Sequence, residues 1–221
     1  GMPSLMPEDI DLYEFNYFSR FKKGFFSASA YYRLTHDTKV MNINIDEENR
    51  LYLFFENIDN TSALGTEMMT NLNLSKKVSV NVSGNLYQYE MQGSLTNNEV
   101  DKNSLNWDMR CVTTYKFSPM SRIQLTGMYM SPSVEAVGER HANYLVGLAV
   151  RKDIMKRKAT LTLNVRDLFG TSEYRISKDT GDYKSEISFK GEAPVFTISF
   201  SYRITNYQLR QDDQIDVGVG A

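Results

Sequence analysis

Ala159-Thr160-Leu161-Thr162-Leu163-Asn164-Val165-Arg166 is the stretch on which the fold turns. Leu161, Leu163 and Val165 alternate with Thr160, Thr162, Asn164 and Arg166, the period of two that sends successive side chains to opposite faces of a β-strand. Val195 to Arg203 repeats the pattern, with Phe196, Ile198, Phe200 and Tyr202 against Thr197, Ser199, Ser201 and Arg203. Trp107, Met109, Cys111, Thr113, Tyr115 and Phe117 alternate with Asp108, Arg110, Thr114 and Lys116, and Tyr13, Phe15, Tyr17 and Phe21 with Glu14, Asn16 and Arg20. Phe18 and Val112 interrupt these last two patterns.

Working outward, alternation predicts nine strands, near 12–21, 24–36, 50–74, 77–91, 104–117, 121–132, 140–152, 157–171 and 194–204. Short turns fall at Lys22-Lys23, Ser75-Lys76, Ser118 to Met120 and Asp153 to Lys156. Polar loops are predicted at Asp37 to Asn49, Gln92 to Asn103, Ser133 to Glu139 and Ser172 to Ala193. Short and long connections alternate, as in an outer-membrane barrel with tight periplasmic turns and long outer loops. The first and last strands then run toward the periplasm. Such single-chain barrels carry even strand numbers, so nine points to the tail of a larger barrel. Residues 1–205 are expected to form this all-β, antiparallel up-and-down meander, and 206–221 a polar C-terminal tail.

A soluble sandwich or small ligand-binding barrel also alternates, so the apolar face has to discriminate. Aromatics gather near predicted strand ends, as in Phe15, Tyr17 and Phe21, Tyr31 and Tyr32, Tyr115 and Phe117, Phe200 and Tyr202. Rings at such positions suit an interface that is dry on one side and wet on the other. Several predicted strands reach the roughly 9–11 residues that cross a bilayer at a tilt. Both features favour the membrane barrel, with Asp108, Arg110, Asn164 and Arg166 turned to its lumen.

Composition narrows the function. The chain holds 14 Tyr and 12 Phe against one Trp, and 25 basic against 27 acidic residues. A formal charge of −2 leaves no footprint for nucleic acid. The single cysteine, Cys111, allows no internal disulfide and reads as a small apolar filler. No apolar run is long enough for a transmembrane helix, which does not bear on barrel strands. Gly1-Met2-Pro3 lacks the features of a signal peptide, and Gly ahead of Met resembles a tag scar, so an internal stretch of a longer protein is expected.

Candidate chemistry is sparse. His36 and His141 stand apart without metal-ligand spacing. Glu47-Glu48 and Asp212-Asp213 lack a calcium-type loop and read as solvated charge. Arg151-Lys152 and Lys156-Arg157-Lys158 flank a short turn, where headgroups or water are the simpler partners. Phosphate loops and nucleophile elbows are missing from the sequence. No catalytic, cofactor-binding or metal-binding residue is therefore assigned, no cofactor is expected, and the chain is not expected to be an enzyme.

Leu5-Met6-Pro7-Glu8 with Tyr13-Glu14 resembles the opening of the C-terminal barrel strands of TonB-dependent receptors, and FSASAYYR (26–33) resembles the upward strand that follows. Glu56-Asn57-Ile58-Asp59 with Gly65-Thr66-Glu67 resembles an element whose Gly marks where the strand enters the wall. Tyr129 to Pro132 with Gly138-Glu139-Arg140 resembles a loop pattern, although Glu139 separates a Gly and an Arg that the pattern places side by side. VRDLF (165–169) resembles the penultimate strand and VFTISFSYR (195–203) the closing one. The ordered set is similar to the receptor-like outer-membrane β-barrel proteins. The resemblance implies a complete barrel of about 22 strands, of which this chain supplies the last nine or so. It also implies a location in the cell outer membrane, contact with outer-membrane lipid, and uptake of a glycan, siderophore or peptide. The implied partners are an N-terminal plug, the remaining strands of the parent protein and, through the parent, the inner-membrane TonB complex. A plug and a TonB box do not lie within these residues. The alternatives are a soluble small β-barrel for a lipophilic or carbohydrate ligand and a structural outer-membrane barrel without transport. A nine-stranded piece has two bare edges, so it is expected either to close into a smaller barrel or to self-associate.

Overall fold

The computed structural model describes residues 4–45, 48, 50–95, 98–136, 138–179 and 184–204. Nine strands form one antiparallel meander: β1 Asp9–Phe21, β2 Gly24–Ile45, β3 Leu51–Asn73, β4 Val78–Leu95, β5 Asn98–Ser118, β6 Ser121–Met130, β9 Asn143–Ile154, β10 Ala159–Arg166 and β13 Val195–Tyr202. Four short strands, β7 Ser133–Glu135, β8 Gly138–Arg140, β11 Tyr174–Asp179 and β12 Lys184–Phe189, make a second sheet in the order β12-β11-β8-β7. The only other regular element among the described residues is a 3-10 turn, Met155–Arg157.

The predicted nine-strand meander is therefore present, with tight connections at one end. The loops expected at the other end are corrected, because most of those residues are strand. β2 to β5 run for 22, 23, 18 and 21 residues and stand far above their neighbours. The expected strand 140–152 begins at Asn143, and Arg140 belongs to the small sheet. The tail 206–221 and the pair Asp212-Asp213 lie outside the described residues.

Directly opposed residues of an antiparallel pair share a face, so the register sorts the wall. One row reads Phe15, Ala30, Thr66, Leu86, Trp107. Another reads Phe21, Gly24, Leu72, Val80, Thr113, Leu125, Leu148, Val165, Phe196. The opposite face reads Asn16, Ser29, Glu67, Asn85, Asp108, Met130, Asn143. Apolar side chains occupy one face and polar ones the other. The apolar face has no protein cover: Phe15, Leu64, Leu105, Leu125, Ile198 and Phe200 are all exposed on it. A soluble ligand-binding barrel would enclose these groups, so that reading loses its basis. Tyr13 to Phe21 on β1 give the apolar belt a height of roughly 20 Å once the usual rise and tilt are applied. Trp107 stacks on Tyr129 at 4.5 Å, and Tyr115 meets Phe117 edge-on at 4.9 Å, both on this face.

The interruptions and one aromatic pair also resolve. Phe18 and Val112 lie on the polar face, where Phe18 packs against Phe25 at 5.7 Å. Of Tyr31 and Tyr32, only Tyr32 joins the apolar belt, and Tyr31 faces inward opposite Gly65. A Cβ on Gly65 would sit 2.5 Å from the Cβ of Tyr87 and 2.8 Å from the hydroxyl of Tyr31. Gly65→Val is expected to cost about 1–3 kcal/mol through overpacking. Gly127, on the apolar face with nothing within 4 Å of its would-be Cβ, is the control. Denaturant midpoints in detergent check the contrast, and equal losses for Gly65→Val and Gly127→Val would refute it.

Above the belt the polarity reverses. His36, Asn60, Gln92 and Asp101 form one outward row. On the inner side Val40, Ile58, Met91, Leu95 and Val100 build the buried cluster of the molecule, joined by Tyr89 and Ala136. Over these rows the inner face turns apolar and the outer one polar, while Met41 and Phe55 stand exposed on the outer side further up.

The sheet is open. β1 and β13 are its edges, and they are not neighbours in the hydrogen-bonded order. Closure into a smaller barrel, one of the two outcomes expected from the sequence, is not what the chain adopts.

Candidate functional site

The polar face carries a cavity of about 430 Å³ near its upper end. Strands β2 to β5 supply its floor because their inward rows bring Tyr31, Tyr87, Tyr89, Asn85 and Asn106 together. The β7–β8 hairpin roofs it with Ser133, Val134, Glu135 and Arg140. Lys102 of β5 holds that roof down, donating from Nζ to the carbonyls of Glu135 (2.8 Å) and Ala136 (3.3 Å). The backbone of Trp107 and Ser131 closes the hinge: Ser131 N–H donates to the Trp107 carbonyl at 2.8 Å, and Trp107 N–H to Ser131 Oγ at 2.9 Å. Ala136 tucks into the apolar cluster, so the hairpin is anchored by packing as well as by hydrogen bonds.

Inside, charges balance. Arg33 and Arg140 face Glu67 and Glu135. Arg140 is 3.8 Å from Glu135 and donates from Nε to Ser133 Oγ at 3.0 Å. The Tyr31 hydroxyl donates to Asn85 Oδ1 at 3.1 Å, leaving the Asn85 amide N–H groups for another partner. Burial pushes the Tyr89 phenol above its ordinary pKa, against a hydrogen bond with Thr61, so it stays a neutral donor at physiological pH. Asn106 is only 4 % exposed, yet its side-chain oxygen has no hydrogen-bond partner among the described residues. A buried acceptor left bare costs about 1–3 kcal/mol, which a hydroxyl placed in the cavity would recover.

The residues assigned to the lumen from sequence, Asp108, Arg110, Asn164 and Arg166, share the polar face with this cavity but do not line it. The tyrosines of the floor lie within the expected strands 24–36 and 77–91, but Tyr31 was read as belt, and the sequence does not show that cross-strand register brings it beside Tyr87. His36 sits outside the wall, with Nδ1 2.7 Å from Asn60 Oδ1, and His141 lies on the small-sheet side, 2.9 Å from Ser177 Oγ. Among the described residues no three potential metal ligands cluster. Glu48 pairs with Arg50, and Glu47 lies outside the described residues.

A tall antiparallel meander, apolar and bare on one face and polar on the other with long strands rising on one side, is the wall of a membrane β-barrel. A model of the outer membrane protein beta-barrel family matches residues 1–202, and the chain belongs to that family. Its place is accordingly the outer membrane. No curated protein and no solved structure matches the chain. In such barrels the apolar face meets hydrocarbon, the polar face lines the lumen, and tight turns lie on the periplasmic side.

Proposed function

We propose that the chain is a section of the wall of a larger outer-membrane uptake barrel of the TonB-dependent receptor kind. The observation that carries this reading is the roofed, partly unsatisfied cavity on the lumen face, at the end where strands rise above the belt. Transport needs such a place, and a purely structural barrel does not. The bare edges of β1 and β13 support the larger barrel, since each unpaired backbone group in hydrocarbon costs several kcal/mol. The remaining strands and a plug would come from the parent protein, which would also make any link to the inner-membrane TonB complex. Nothing in this reading asks the wall to make or break a covalent bond, so the chain acts as a receptor and not as an enzyme.

Among glycan, siderophore and peptide, the cavity favours the glycan. Its two arginines are offset by two carboxylates, so it offers no net field for an anionic chelate. Tyrosine faces with amide donors and acceptors suit a neutral ring rich in hydroxyls, and 430 Å³ lies in the range of small-molecule sites. Tyr87→Ala combined with Asn106→Ala in the full-length parent is expected to slow uptake of a neutral oligosaccharide at least about tenfold, for a loss near 1.4 kcal/mol or more. Growth of a parent-deleted strain, complemented with wild type or variant, on a panel of glycan, peptide and iron sources checks it. A defect confined to iron-limited medium, or no defect on any source, would sink the proposal.

A further inference from the structure

The periplasmic end of the same wall holds a second feature, independent of what the barrel transports. The four tight connections, 22–23, 74–77, 119–120 and 155–158, contain seven Lys or Arg residues and no carboxylate. At the opposite end the β2–β3 connection, 46–50, contains three carboxylates and one arginine. The rim of tight turns is cationic.

Between the β1–β2 and β3–β4 connections lies a groove of about 700 Å³, into which Lys22, Lys23, Lys76, Lys77 and Lys116 converge. The backbone fixes that convergence. Asn73 N–H donates to the Lys23 carbonyl at 2.7 Å, and Lys116 N–H to the Lys77 carbonyl at 2.8 Å, tying three strand ends together. Ser75 Oγ accepts from the N–H groups of Lys77 (3.1 Å) and Val78 (3.0 Å), which sets the tight turn. No ion pair joins any of these five lysines to a carboxylate among the described residues. Beside Asn73, Ser75 and Ser79 the groove takes in two apolar side chains: Leu74 is exposed, and Val78 continues the belt row of Tyr115 and Ile123. Phe21 and Phe117 place the lower limit of the belt at this level. A headgroup seated among the ammonium groups would therefore run its acyl chains straight onto the apolar face.

We propose that this groove binds the phosphate of an anionic phospholipid from the periplasmic leaflet. A soluble phosphate would use only the cationic half, whereas a diacyl anionic lipid uses both halves. Basic pockets of this kind at the level of the headgroups bind anionic lipid, and each lysine near such a surface contributes about fivefold in affinity.

The test uses the full chain in dodecyl maltoside micelles, titrated with phosphatidylglycerol or phosphatidylcholine, with retained lipid read by native mass spectrometry. Phosphatidylglycerol is expected to bind at least about tenfold more tightly than phosphatidylcholine. Lys76→Gln with Lys77→Gln should weaken phosphatidylglycerol by roughly 25-fold and leave phosphatidylcholine unchanged. Lys22→Gln with Lys23→Gln, in the neighbouring connection, should do the same, which covers failure of one variant to fold. Lys39→Gln with Lys190→Gln, well away from the groove, should change nothing. Equal binding of the two lipids, or parental binding by both groove variants, overturns the proposal. Displacement of phosphatidylglycerol by an equal concentration of inorganic phosphate overturns it as well, by assigning the groove to a soluble anion.

Discussion

Leu125→Arg is expected to destabilise the membrane-inserted protein by about 2–4 kcal/mol, while Thr126→Arg, one residue along β6, leaves stability within about 0.5 kcal/mol. Leu125 is 48 % exposed in the middle of the apolar belt, opposite Thr113 and Leu148. Thr126 lies on the other face between Val112 and Gly147. A guanidinium at position 125 would have to leave water for hydrocarbon, whereas at 126 it would remain in the aqueous lumen. A loss of 3 kcal/mol lowers the ratio of folded to unfolded protein roughly a hundredfold. Denaturant titration after refolding into vesicles reads both variants. Similar losses at the two positions would mean that the faces are assigned wrongly, and with them the direction of the whole wall.

Removing the Asp167 carboxylate should cost about 1–3 kcal/mol for Asp167→Ala, because two half-buried N–H groups would lose their acceptor. Asp167 sits in the turn just beyond β10, only 5 % exposed, at a φ of 50°. Its Oδ1 accepts from Thr171 N–H at 2.9 Å and from Thr171 Oγ at 3.3 Å, and its Oδ2 from Ser172 N–H at 3.0 Å. Burial opposes ionisation of Asp167, but these hydrogen bonds outweigh it and hold the carboxyl below the ordinary aspartate range. Asp167→Asn keeps an acceptor and tolerates the left-handed backbone, so it should lose less than the alanine variant. The pH dependence has a definite sign. A depressed folded pKa gives stability that is complete above the unfolded value of about 3.9 and disappears as the pH falls through the lower folded value. The gap between parent and Asp167→Ala should thus be constant near neutrality and narrow only below about pH 4. A gap that widens on acidification would contradict the assignment.

The strands most legible in sequence were those with one uniform environment per face. Leu161 and Leu163 are exposed on the belt face and Val165 shares that face, so nothing disturbs the period of two. Of the tall strands β3 was legible throughout, whereas β2 was legible only up to Asp37. Its left-handed backbone (φ 51°) shifts the phase of β2, so that Tyr31 and Thr35 face inward below it and Val40 and Asn42 are buried above it. Opposite, Asp59 and Asn60 are both exposed between buried Ile58 and Thr61, the same slip seen from β3. A pattern that changes phase midway and exchanges its apolar side reads as loop. The strands of the small sheet, three to six residues long, are too short to establish a period at all. The cavity was hidden for a related reason: its floor is a matter of cross-strand register, which joins Tyr31, Gly65 and Tyr87 from three strands, and its roof is a hairpin that folds inward. Spacing along one chain carries neither fact.

The exchange of inner and outer character above the belt means that one continuous sheet is folded for two solvents. Its lower part depends on the thickness and fluidity of the surrounding lipid, and its upper part obeys the rules of a water-soluble domain, with a dry centre of its own. Bilayer composition is therefore expected to act on the lower half of the molecule and to leave the half that carries the cavity unchanged, the two meeting where β2 and β3 change phase.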